Sequence, residues 1–110
     1  MPPWFKVKSS LHEGDPIVKI HGNYCGPNWT SGLARPAADI NKLPYVAPTD
    51  ALDAACRQHD LACSEGGCSS KADNRLRNAA LMVALTQPRL REVALLVAAG
   101  MTVAAPTRKR

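Results

Sequence analysis

The chain has 110 residues, 45% of them hydrophobic and 21% charged, which allows one globular domain and excludes two. The formal net charge is +5, of which Arg108, Lys109 and Arg110 supply three and leave +2 for everything else. With 5% aromatics and no interleaving of basic and aromatic residues, a nucleic-acid surface is not expected, and no internal repeat marks a solenoid.

The first twenty residues carry prolines at 2 and 3, scattered charges and no continuous apolar core. No signal peptide is expected there, so the chain reads as a mature form or a domain released from a larger precursor. "DPIVKIHGNY" has room for one short strand, broken quickly by Gly and Pro. Residues 25–48 are dense in Gly, Pro, Asn and Ser, a composition that predicts a loop with several turns.

A first helix is predicted to begin near Thr49 or Asp50, after Pro48, with either residue as its cap and Asp53 three residues after Asp50. Leu52, Ala55, Cys56 and Ala62 or Cys63 recur at helical spacing, and His59 falls on their stripe. Asp60 lies about 100° further round. "SEGG" then turns the chain. A second helix is predicted from Ser69 or Ser70, with Ser70 and Asp73 at capping-box spacing. Leu76, Ala79, Ala80, Val83 and Ala84 form its apolar face, and Pro88 ends it. A third helix, about residues 89–99, is expected to stop at Gly100 and is apolar on nearly every side after Val93. The apolar run Val93 to Ala105 falls short of the ~20 residues that span a bilayer. The basic residues at the end read as a solvated tail, with attraction of nucleic acid or anionic lipid, or a processing or import signal, as alternatives.

Four cysteines form an even set, as a disulfide framework requires, and imply an oxidising compartment. Neither C-x-x-C nor H-x(3–5)-H occurs, so structural zinc is not expected. Four cysteines allow three pairings. A Cys63–Cys68 bridge would lock the turn between the first two helices, and a Cys25–Cys56 bridge would pin the loop to the first helix. These rest on proximity, and the other pairings stay open.

Helices joined by so short a turn are expected to run antiparallel. His59 precedes Cys63 by four residues and Asp73 follows Cys68 by five. At ~1.5 Å rise per residue both lie ~6–7.5 Å from the turn, at about the same height on facing helices. Taken singly, His59 reads as a core histidine and Asp73 as a helix cap. Together they can form a pair in which the carboxylate fixes one ring nitrogen and leaves the other as a base. Asp60, aimed at a neighbouring sector, offers a hard oxygen ligand for calcium or magnesium, with backbone carbonyls of the "NYCGPNW" loop as co-ligands.

"YCGPNW" followed by "DALDAACRQHDLAC" and then "ADNRL" resembles the secreted phospholipases A2 over roughly residues 22–85. That family carries Y-x-G-x-G in its calcium loop and D-x-C-C-x-x-H-D-x-C in its active-site helix. The few cysteines and the Ala-Asp pair are similar to the plant-type enzymes and to the phospholipase domain of parvovirus capsid proteins. The resemblance implies a mostly α fold: two antiparallel disulfide-stapled helices, a calcium-binding loop and a further C-terminal helix. It implies a single domain over residues 1–105, with 106–110 as a basic tail. By position, His59 resembles the general base and Asp73 the carboxylate that orients it. Asp60 and the carbonyls of Tyr24, Gly26 and Asn28 resemble the Ca2+ ligands, and the Gly26 N–H an oxyanion donor. Cys25–Cys56 matches the bridge from loop to helix.

The implied activity is calcium-dependent hydrolysis of the sn-2 ester of glycerophospholipids at a membrane or micelle interface. Trp29, Leu33, Leu43 and Tyr45 are expected at the contact rim. The implied location is outside the cell, or a viral particle; oligomeric state stays open. The competing expectations are a catalytically weak or inactive lipid-binding relative, and a stapled protein with no site. Retention of Asp60 argues for the enzyme. The chain departs from the family pattern in having Ala55, Ala62 and Ala72 at cysteine positions, Cys63 where a tyrosine is common, and Asn28 in place of glycine. The aromatic-rich amino-terminal helix of the animal enzymes is absent, which leaves its work to Trp4, Phe5 and the third helix.

Overall fold

A computed structural model describes residues 15–108; Trp4, Phe5, Lys109 and Arg110 lie outside the described residues. The architecture is a small, mostly helical domain with no sheet among the described residues and two disulfides, Cys25–Cys56 and Cys63–Cys68. Its main helices are α1 (Ala51–Ser64), α2 (Ser70–Thr86) and α3 (Arg91–Ala104). Short 3-10 turns lie at Ala37–Lys42, Pro88–Leu90 and Ala105–Thr107.

The possible strand in "DPIVKIHGNY" does not form. Ile20 and His21 both donate their backbone N–H to the Cys25 carbonyl, at 2.9 and 3.1 Å, so the chain doubles back at once and leaves an isolated bridge between His21 and Cys25. The loop is nevertheless part of the core. Tyr24 is among the largest fully buried side chains, and its hydroxyl donates to the Val46 carbonyl. Cys25 is bonded to Cys56 on α1.

Asp50 caps α1, its side chain accepting the Asp53 N–H at 2.9 Å. At α2 the cap is Ser69, whose hydroxyl accepts the Ala72 N–H at 3.1 Å. The expected Ser70–Asp73 capping box is therefore displaced by one residue. Asp73 stands one position deeper in the helix, and its carboxylate makes contacts outside the cap. The Cys63–Cys68 bridge closes the turn between α1 and α2. Ala80 and Ala84 of α2 and Ala94 and Ala98 of α3 are all buried, and α2 and α3 share the most extensive contact in the molecule. Small side chains here let the two helices approach closely.

The third helix does not stop at Gly100. It runs on to Ala104, and with its flanking turns the helical stretch Pro88–Thr107 is 20 residues, long and apolar enough by length and composition to cross a bilayer. An interior glycine costs about 1 kcal/mol relative to alanine. Packing of Met101 and burial of Ala105 beyond it offset that cost. Leu95, Leu96 and Val103 on the same helix remain exposed.

Candidate functional site

The loop is held by an aspartate that spacing alone presents as a capping residue. Asp53 is fully buried at the start of α1. Its carboxylate accepts the backbone N–H groups of Asn23 at 3.0 Å, Tyr24 at 2.8 Å and Thr49 at 2.9 Å. Approach this close requires glycine at position 22, where φ is +59° and an added Cβ would lie 2.4 Å from the Asp53 carboxyl carbon. Gly26, at φ +138°, is equally constrained: a Cβ would lie 1.9 Å from the Val18 carbonyl oxygen. Asn28 takes up a left-handed φ of 54°, which asparagine tolerates. Its side-chain amide donates to the Pro16 carbonyl at 2.6 Å.

On α1, His59 Nε2 lies 2.6 Å from Oδ1 of Asp73 on α2. The pairing that spacing predicts is present. The carboxylate accepts the Nε2 proton, so the neutral ring carries its lone pair on Nδ1. The Cys63 sulfur lies 3.8 Å from both ring nitrogens, so the bridge packs against the imidazole. Asp73 is wholly buried, and its second oxygen accepts a hydrogen bond from Arg108 Nε at 2.7 Å. Burial alone would raise the Asp73 pKa. Hydrogen bonds from Arg108 and His59, and the charge of both, more than offset it and hold the carboxyl below its ordinary value.

Asp60 has the opposite balance. Burial pushes its pKa up to about 8; the neighbouring Thr30 hydroxyl eases this in part, without a hydrogen bond of ordinary geometry, and the charge of Asp53 adds to it. Four buried side-chain polar atoms lack a partner among the described residues: Thr30 Oγ1, Arg35 Nη2, Arg57 Nε and Asp60 Oδ2. Of those residues, Asp60 alone lines the cavity that also contains His59.

That cavity has a volume of about 600 Å³. Loop residues 24–29, His59, Asp60 and both disulfides line it. Leu96, Val97, Gly100, Met101 and Ala104 of α3 line it as an apolar wall, the last two added because the helix continues past Gly100. Tyr24, Gly26, Asn28 and Asp60 are thus brought together with His59. The Gly26 carbonyl accepts a long hydrogen bond of 3.3 Å from Trp29, while the Tyr24 and Asn28 carbonyls accept none among the described residues.

The four residues expected at a contact rim separate. Trp29 lines the cavity, with its indole N–H on the Gly22 carbonyl at 3.0 Å and Lys19 over its ring. Leu33, Leu43 and Tyr45 are not among the lining residues. Leu43 is buried, and Tyr45 is exposed with Arg57 over its ring at 4.9 Å.

Asp60 and the loop carbonyls are an all-oxygen donor set with one orphaned buried carboxylate oxygen, which fits a hard cation such as calcium. A second grouping, His59, Cys63 and Cys68, has ligand atoms within 4.8 Å of one another. Its two sulfurs are bonded to each other, so neither is available as a thiolate while the bridge is intact. Residue spacing gave no sign of Asp53 as the loop anchor or of Arg108 as a partner of Asp73. Arg108, at least, is therefore not a solvated tail residue. No protein-family model matches the chain, and no curated protein or solved structure does.

Proposed function

We propose that the protein is a calcium-dependent phospholipase A2 that hydrolyses the sn-2 ester of glycerophospholipids at a membrane or micelle surface. One observation carries the reading: His59, paired with the buried Asp73, lines one cavity together with Asp60, whose Oδ2 is unpartnered, the loop residues Tyr24, Gly26 and Asn28, and an apolar wall. α1 and α2 are then the antiparallel stapled pair of a phospholipase A2-like fold, and residues 24–29 its calcium loop. Two disulfides suit an extracellular location or release from a larger precursor.

Asp60 and the carbonyls of Tyr24, Gly26 and Asn28 would hold the calcium. When bound, calcium supplies a Lewis acid that polarises the ester carbonyl. His59 takes a proton from water at Nδ1 as that water attacks the carbonyl carbon. Asp73 stabilises the imidazolium that forms, and His59 then gives the proton to the departing glycerol oxygen. The Gly26 N–H donates to the carbonyl oxygen as negative charge builds on it. The α3 wall takes the acyl chain. Trp29, with exposed Ile17, Val18, Leu96 and Val103, forms the apolar rim toward lipid.

The competing reading, a lipid-binding relative with weak or no turnover, is favoured by the retention of a proton on Asp60 up to about pH 8, which a cation must displace. A mixed-micelle assay separates the two. Release of the sn-2 fatty acid in calcium, its loss in excess chelator, and a fall of roughly 10³-fold in a folded His59→Gln variant are expected. Release that survives chelation, or a folded His59→Gln variant of full activity, defeats the reading.

A further inference from the structure

Arg108 follows the last helical turn and reaches Asp73 across 35 residues of sequence. Its backbone N–H donates to the Ala105 carbonyl at 3.2 Å, and the Thr107 hydroxyl donates to the Ala104 carbonyl at 2.7 Å, so the chain is anchored where the side chain departs. We propose that Arg108 is a positioning residue for the His59–Asp73 pair: by holding the second Asp73 oxygen it fixes the carboxylate, and through it the ring of His59. The consequence for rate rests on the hydrolase reading; the positioning itself does not.

A carboxylate bonded through one oxygen can turn about its Cβ–Cγ bond. Asp73 is bonded through both, to His59 Nε2 at 2.6 Å and to Arg108 Nε at 2.7 Å. Among the described residues no other donor reaches Oδ2. Loss of Arg108 therefore leaves a wholly buried carboxylate oxygen unpartnered, and the group gains a reason to rotate away from the histidine. An exposed ion pair would carry little weight, but the Asp73 side chain has no solvent exposure and that of Arg108 only 32%. Arg108 is also the sole lysine or arginine among the described residues lining the cavity, where the carboxyl side chain beside His59 is Asp60. Glu65 and Arg75 lie in a separate groove behind His59, between α1 and α2. Among the described residues no other cation lines the cleft to take its place.

The test uses the full chain with Arg108→Met, Arg108→Lys and, as a charge control away from the cleft, Arg89→Gln. Micelle hydrolysis in calcium gives kcat and KM, and ¹⁵N spectra of the His59 ring give its tautomer. For Arg108→Met a fall in kcat of about 10–100-fold is expected with KM within about twofold, the size of effect typical of groups that orient a functional histidine. The wild-type ring carries its proton on Nε2; Arg108→Met shows a tautomer mixture, Arg108→Lys recovers part of both effects, and Arg89→Gln changes neither. A rate loss that only follows the unfolded fraction, or an unchanged tautomer in Arg108→Met, overturns the proposal. If the wild type hydrolyses no ester, the hydrolase reading fails alone and the ring spectra still decide the role of Arg108.

Discussion

Two regions along α1 each meet a histidine-aspartate pair of the same separation, and the fold uses the two pairs differently. At the amino-terminal end of the helix, His21 Nε2 lies 2.6 Å from Asp50 and a second aspartate, Asp53, is buried beside it. Further along, His59 Nε2 lies 2.6 Å from Asp73 and a second aspartate, Asp60, is buried beside it. In the first region every carboxylate oxygen is closed by the fold: Asp50 accepts the Asp53 N–H, and Asp53 accepts three backbone N–H groups. In the second, one Asp60 oxygen has no partner, and Asp60 and His59 line a cavity. A histidine-aspartate contact is thus no sign of a site by itself. What separates the regions is whether the polar atoms are consumed within the chain.

The contrast is easiest to break at Asp53. Its replacement by alanine leaves three backbone donors without their acceptor. A loss of about 3–5 kcal/mol is expected, read as a drop in urea midpoint. A variant within 1 kcal/mol of wild type would show that the loop is anchored by Cys25–Cys56 alone, on the order-of-magnitude scale used for single hydrogen bonds.

Asp60→Asn should act in the opposite sense. With its pKa raised from 3.8 to about 8, the folded protein keeps a proton that the unfolded chain has released across that range. The unfolded state binds fewer protons there, so stability in chelator falls as pH rises through the window. Asp60→Asn removes this slope, and its Tm in chelator at pH 8 equals or exceeds that of wild type. Calcium should raise the wild-type Tm more at pH 8 than at pH 6 and leave the variant unmoved. An identical pH slope in both proteins would show that Asp60 is not the titrating group.

His21→Gln sharpens the same comparison at smaller scale. It removes a part-exposed charge-assisted bond, so a stability loss of about 1 kcal/mol is expected with hydrolysis within about threefold of wild type. A hydrolytic loss as large as that of His59→Gln would erase the distinction between the regions. Gly100→Ala is the gentlest probe. A Cβ there meets nothing within 4 Å, so alanine should stabilise by roughly 0.8–1 kcal/mol. Destabilisation would mean that the α3 wall needs the glycine.

Much of α1 and α2 is legible from residue order, because caps, helical stripes and the Pro88 stop act within a few residues. Asp50 as cap and His59 opposite Asp73 follow from that local logic. The Ser69 cap shows its limit: Ser69 and Ser70 are equivalent by type, and only packing of α2 selects between them. Gly100 reads as a terminator because an isolated helix pays for glycine with nothing in return. In the folded chain Met101 and Ala105 reward continuation.

By itself, then, the amino-acid order determined where the first two helices lie, which residues have the chemistry for a base, a carboxylate and a flexible oxygen-rich loop, and that four cysteines could staple them. Tertiary structure decided which aspartate is spent on the loop and which is left open. It also decided that α3 continues to wall the cavity, and that Arg108 returns to Asp73. The physical reason is range. Caps and stripes are set by neighbours one turn away, whereas burial and partnering of a charge depend on chain brought in from 29 to 35 residues off, which no local pattern encodes.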